Sequence, residues 1–156
     1  MPPRQTQKIA LLLSQDLGYC RKVLAGILSY RPSQQFWIHR DSPPDIRIIP
    51  SLRQWEPDGI IAHIFQPKVS EALKDFNCPI INTTNTIEGY EVPRVEVANR
   101  ETGQMAADYF MDKGLTHFAY FGSSTGVFSQ KREEGFKDAL ARHGHEVASC
   151  YAEFLP

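Results

Sequence analysis

The side chains most able to do chemistry are five histidines, three cysteines and the acids that follow apolar runs. Their spacing argues against catalysis. His143 and His145 form the one close histidine pair. Two neighbouring imidazoles could begin a metal site, but no third ligand stands nearby, and a helix end favours the same positive charge without a metal. No metal is expected. Cys20, Cys78 and Cys150 are odd in number and far apart, which suggests neither a disulfide framework nor a zinc cluster. Asp16 stands alone after the first apolar run, where a phospho-acceptor domain would need an acidic pair. The stretch Ser14-Gln15-Asp16-Leu17-Gly18 has one glycine where a dinucleotide site would need Gly-x-Gly-x-x-Gly. Neither a phosphate-cradling Gly-x-x-x-x-Gly-Lys-Ser/Thr run nor a Gly-x-Ser-x-Gly elbow occurs. The chain reads as a non-enzyme with no cofactor.

The elements that would position these residues alternate along the chain. Ile9 to Leu13 is a continuous apolar run, the pattern of a strand buried on both faces. A helical pattern follows, with Tyr19, Cys20, Val23, Leu24, Ile27 and Leu28 on one side, and Arg31-Pro32 ends it. Further strands are expected at Phe36 to His39, Gly59 to Ala62, Pro79 to Ile81 and Phe118 to Phe121, with a weaker, polar one at Arg94 to Val97. Helices are expected at Ser51 to Trp55, started by Pro50, and at Val69 to Phe76. A longer helix capped by Asn99 runs to Lys113, carrying Thr102, Met105, Ala106, Tyr109 and Phe110 inward, and Gly114 stops it. The last helix, Ser129 to His143, buries Phe136, Ala139 and Leu140 and closes at Gly144. This alternation predicts an α/β fold with a mainly parallel sheet, whose ligands bind outside the carboxyl ends of the strands. The loops after Leu13, Ala62, Ile81, Val97 and Phe121 are therefore the places for a site.

Length and charge narrow the class. A chain of 156 residues suits one compact domain, or one lobe and part of another. A net charge of -1, with basic residues alternating with acidic ones as in Lys131-Arg132-Glu133-Glu134, leaves no basic face for phosphates. The start has no apolar core of signal-peptide length, so no export and no membrane insertion are expected, and the cytoplasm is the expected compartment. The apolar, aromatic close Tyr151-Ala152-Glu153-Phe154-Leu155-Pro156 reads as a chain cut short.

Two segments together carry a family resemblance. The first runs from Val97-Ala98-Asn99-Arg100-Glu101-Thr102-Gly103 through Lys113-Gly114 to Phe118-Ala119-Tyr120-Phe121-Gly122. The second is Arg132-Glu133-Glu134-Gly135-Phe136-Lys137-Asp138-Ala139-Leu140. This order (a helix ending in Gly, a strand ending in Gly, then Arg-x-x-Gly-Phe-x-x-Ala-Leu) resembles the centre of LacI/GalR-type effector-binding domains. Asp58-Gly59-Ile60-Ile61 and Pro79-Ile80-Ile81 sit where that family places its third and fourth strands. The resemblance covers about residues 8 to 145 and is greatest to the xylose-responsive branch, whose AraC-type DNA-binding domain follows the effector domain. It implies a type I periplasmic-binding-protein-like fold: a disordered lead over 1–7, the first lobe over 8–113, and the truncated start of a second lobe over 114–156. DNA would be gripped by a domain outside this chain. One departure stands out: the family usually has Asp before the Asn that opens the long helix, and here that position is Ala98.

The resemblance also implies where a sugar effector, D-xylose in that branch, would be held. Arg132 matches the family arginine that reaches the sugar from the second lobe, and its fork of donors suits paired hydroxyls; the alternative is a solvated helix charge paired with Glu133 or Asp138. His63 ends the third strand, where related repressors face a polar residue to the ligand; otherwise it is a histidine satisfied by local backbone. Asp16 and Tyr19 flank the first strand-to-helix turn, and could instead be a helix cap and a core aromatic. Asn99 opens the long helix. Thr84 follows the fourth strand, in a loop that turn chemistry alone could explain. Phe128 could stack on a sugar or staple the helix it precedes. By the same comparison, two lobes close on the ligand, a homodimer forms partly through the first helix, and this half of a cleft alone binds sugar weakly or not at all. A transport-type sugar-binding protein and a ligand-free interaction module of the same fold remain alternatives.

Overall fold

A strand covered on both faces must send alternate side chains into two cores, and the first apolar run does so. In β1 (Thr6–Leu12), Ala10 and Leu12 enter one buried cluster, while Leu11, with Leu13 just beyond the strand, enters another. The structure is a computed structural model that describes residues 6–30, 36–87 and 89–153. Thr6 and Gln7, expected in a disordered lead, open β1 because their backbone pairs with Phe36 and Trp37; residues 1–5 lie outside the described residues. The expected stop at Arg31-Pro32 also lies outside them, as do the last three residues of the apolar close.

The chain divides into two units, Met1–Glu96 and Val97–Pro156. In the first, β1, β2 (Phe36–Ser42), β3 (Gly59–Ala62) and β4 (Ile80–Asn82) form one sheet in the order β2-β1-β3-β4, with every neighbouring pair parallel. The helices α1 (Gly18–Ser29), α2 (Ile49–Trp55) and α3 (Pro67–Leu73) make the crossovers. Proline stands in the first turn of both α2 and α3, where its missing N–H costs no hydrogen bond. One core gathers Ala10, Leu12, Leu52, Ile60, Ala62, Ile64, Val69 and Leu73. The other packs Cys20, Val23, Leu24 and Ile27 of α1 against Leu11 and Leu13. Each fully buried leucine contributes about 1.5–3 kcal/mol by leaving water, so this sheet has a firm base for the loops at its carboxyl edge. The expected strand at Arg94 to Val97 is a single bridge, Asn82 to Arg94. Pro93 precedes it and its residues are exposed, so one strand's worth of pairing never builds.

In the second unit, β5 (Phe118–Ser123) and β6 (Val147–Ala152) run parallel, with α4 (Asn99–Asp112) and α5 (Val127–Ala141) beside them. Ala107, Phe118, Phe136, Ala139 and Leu140 form its core, with Phe118 and Phe136 edge to face at 6.3 Å. Gly114 and Gly144, expected to close their helices, do so with φ of 77° and 76°. The long helix corrects one expectation. It packs on α5 within the second unit. Its buried face is Asn99, Gly103 and Ala107, and Met105 and Tyr109 are 71% and 58% exposed where a core role was expected. The reason is steric. A Cβ on Gly103 would collide with the Arg132 carbonyl, and one on Gly135 with the Arg100 carbonyl, so the two helices meet backbone to backbone and only small residues fit between them.

Candidate functional site

The carboxyl edge of the first sheet gathers polar groups from three exits. β1 leads into the turn Ser14 to Leu17, which Arg21 holds by donating from Nη1 to the carbonyls of Gln15 at 2.6 Å and Asp16 at 3.1 Å. The Asp16 side chain is exposed and caps nothing: Leu17 is the N-cap of α1 and receives no side-chain bond. Its carboxylate has no partner among the described residues. One turn on, the Tyr19 hydroxyl donates to the Thr83 carbonyl at 3.0 Å, and its ring lies 5.5 Å from that of His63. Tyr19 is therefore not a core aromatic. Burial, then the nearby Cys20 and Glu96, push its hydroxyl pKa up, which keeps the proton it donates.

His63 leaves the end of β3, with its N–H on the Leu12 carbonyl at 2.9 Å. Its Nδ1 lies 3.3 Å from the Thr83 hydroxyl, and its ring stands between Tyr19 and Phe65, 6.2 Å from the latter. Burial pushes the imidazole pKa down, so the ring is neutral at physiological pH and can both donate and accept. Beyond β4, Asn85 accepts from Arg94 Nη1 at 3.0 Å and donates to Glu96 at 3.5 Å. Tyr19, His63 and Phe65 thus form an aromatic surface over the buried Thr83, with Asn85, Arg94 and Glu96 as a separate chain of planar polar groups. Planar groups for hydroxyls beside an aromatic wall are what a sugar requires.

After β4, the Thr83 carbonyl accepts from the Tyr19 hydroxyl and its own hydroxyl lies beside His63 Nδ1. Thr84, expected as a ligand contact, is buried like Thr83, and its N–H donates to the Asn82 side chain at 3.2 Å. The sequence reading omits Asn85, Arg94 and Glu96. The polar run Thr83-Thr84-Asn85 was the available signal for the first, and the polarity of the strand expected at Arg94 was the signal for the others.

The second unit holds a second set. Arg132, on α5, donates from Nε to the Asn99 side-chain oxygen at 2.8 Å, and its guanidinium carbon lies 5.4 Å from the centre of the Phe128 ring. Asn99, Phe128 and Arg132 come together here. Asn99 does not cap α4: the N-cap is Ala98, and Asn99 is buried with its oxygen committed to Arg132. Nor does Arg132 pair with Glu133 or Asp138. Arg100 holds Asp138 and Glu134, while Glu133 accepts from Lys137, Ser149 and Tyr151 at 2.6, 2.6 and 2.7 Å. The two terminal nitrogens of Arg132 keep no partner among the described residues, and the stacked ring and the Nε bond fix their plane. Phe128, half-exposed, lies over Gly126, where a Cβ would meet its ring.

Among the described residues no group of three or more His, Cys, Asp or Glu is placed to hold a metal, and the His145 ring packs on Phe118 at 5.1 Å. No helix among them is long and apolar enough to cross a membrane.

Parallel sheets with helical crossovers and polar groups at the carboxyl edge define a type I periplasmic-binding-protein-like domain of the kind found in LacI-type regulators. The chain belongs to the family of XylR N-terminal domains, whose model matches residues 8–99. It is 27% identical over 151 residues to the xylose operon regulatory protein of Haemophilus influenzae, covering 92% of this chain and 39% of that protein. The chain thus spans about two fifths of the length of that relative. Among solved structures, a xylose-binding transcription activator XylR superposes with a TM-score of 0.71 at 20% identity, over 94% of this chain and 38% of that one. A periplasmic binding protein/LacI transcriptional regulator from Alkaliphilus metalliredigens QYMF, complexed with D-xylulofuranose, gives 0.70 at 15% identity, over 97% and 59%. These two likenesses concern the fold.

Proposed function

We propose that this chain is the effector-sensing part of a bacterial sugar-responsive transcription regulator, with D-xylose or a closely related sugar as its effector. The observation that carries this reading is Arg132: held by Asn99 and stacked on Phe128, it presents two unengaged donors in a fixed plane. Such a fork suits a pair of adjacent hydroxyls. The aromatic rings of Tyr19 and His63, with the neutral His63 imidazole beside the Thr83 hydroxyl, are compatible with an uncharged, hydroxyl-bearing ligand. The names of its relatives supply the sugar: xylose operon regulators on one side, a pentulose complex of the same fold on the other.

Following the family resemblance, effector-driven lobe closure would change how a homodimer presents DNA-binding domains outside this chain. A ligand does this only through a difference in affinity between two conformations. The regulator would act in the cytoplasm, where the DNA is. The test is fluorescence anisotropy of the full-length gene product on DNA from its own upstream region, with and without D-xylose. A sugar-dependent change in affinity is expected. DNA binding that no pentose or hexose alters would contradict the reading.

A further inference from the structure

We infer that Asn82 is the positioning residue of the first unit's polar set, a role that rests on the sugar-sensing reading and adds to it a residue that touches no ligand. Asn82 ends β4 and is 2% exposed. Its side-chain oxygen accepts two backbone N–H groups, from Ile64 at 3.2 Å and Thr84 at 3.2 Å. Its own N–H donates to the Pro93 carbonyl at 2.9 Å, and its carbonyl accepts from Val95 at 3.0 Å. One residue thus ties together the exit of β3, the exit of β4 and the returning segment 93–95. The groups these bonds place are the buried Thr83 and, partly or fully exposed, His63, Asn85, Arg94 and Glu96. His63 precedes Ile64, Thr83 follows Asn82, Asn85 follows Thr84, Arg94 lies between Pro93 and Val95, and Glu96 comes next.

The amide suits this place physically. Two buried N–H groups converge on one point, and only an acceptor that reaches back from β4 satisfies both; an apolar side chain would leave them unpaired and let the two loops separate. An aspartate in its place would keep the acceptor where alanine or leucine would not, so Asn82→Asp is the conservative variant and Asn82→Ala the disruptive one. Placement of His63 and Thr83 should follow the acceptor rather than side-chain volume.

Heteronuclear NMR of the chain tests this without any sugar. In the unsubstituted protein the Ile64 and Thr84 amides should exchange slowly with solvent, and the His63 ring protons should show ring-current shifts from Tyr19 and contacts to Thr83. In Asn82→Ala those contacts should disappear while α4 and α5 keep their spectra, and Asn82→Asp should restore them. Exchange of both amides at unprotected rates in the unsubstituted chain would overturn the proposal, even if Asn82→Ala failed to fold. So would a folded Asn82→Ala that keeps the His63 contacts. With the full-length gene product, Asn82→Ala should weaken sugar binding by roughly tenfold or more and Asn82→Asp should recover most of it. If the unsubstituted protein binds no sugar, the functional reading fails, yet the exchange and His63 measurements still decide the role of Asn82.

Discussion

Arg132 Nε donates to the Asn99 side-chain oxygen at 2.8 Å, joining the first residue of α4 to the second turn of α5. Asn99 is buried and Arg132 half-buried, so the bond has both an orienting and a stabilising part. A double-mutant cycle with Asn99→Ala and Arg132→Ala, followed by urea unfolding, should show a coupling of roughly 1 kcal/mol. Strict additivity would mean that the two residues do not hold each other.

The crossing of α4 and α5 is set by glycine. Gly103→Ala and Gly135→Ala should each destabilise the second unit by about 1–3 kcal/mol, because the new methyl meets backbone that cannot move aside. Gly26→Ala on α1 is the control: open space surrounds it, and alanine there should stabilise by roughly 0.5–1 kcal/mol. Urea midpoints that move alike for all three would refute the close crossing.

Much of this arrangement was legible in the sequence, and the misses share a cause. Continuous apolar runs identified β1, β3 and β4, and glycines at the ends of α4 and α5 fixed where those helices stop. The sequence singles out Asn99, Phe128 and Arg132, and the second unit brings the three together. The inward face of α4 was misassigned because Met105 and Tyr109 have the size and spacing of core residues, whereas the contact is so close that Gly103 and Ala107 fill it. Large apolar residues mark a buried face only where the helices stand a side chain apart. β6 went unseen because Val147-Ala148-Ser149-Cys150-Tyr151-Ala152 has neither a continuous apolar run nor a clean alternation.

Glu133 ties α5 to β6, and this attachment should depend on acid. Burial opposes its charge, but the bonds from Lys137, Ser149 and Tyr151 outweigh that and hold its pKa below the ordinary glutamate value. The folded pKa is depressed, so the carboxylate's stabilisation is fully present above the unfolded-state value and is lost as pH falls through the folded one. Unfolding followed from neutral pH to below pH ~4 should show a loss of stability that Glu133→Gln reduces. An unchanged acid profile in the variant would contradict it.

His63 should titrate below the ordinary histidine range, since burial alone lowers its pKa. For this base the folded pKa is again the lower one. Its contribution is present above the unfolded value of about 6.5 and declines as pH falls towards the folded value. A proton NMR titration of the His63 ring should give a midpoint below that of a histidine in a short peptide. A midpoint at or above it would mean that the ring is solvated and does not lie against Tyr19.

The sensor role itself is tested most directly by a thermal-shift panel of pentoses and hexoses on the full-length gene product, beside its Arg132→Ala variant. A ligand that binds only the native state raises the melting temperature by mass action. A rise with D-xylose or one close relative, absent in the variant, is the expected result. A folded protein whose melting temperature no sugar moves, or a shift that Arg132→Ala leaves intact, would contradict the account.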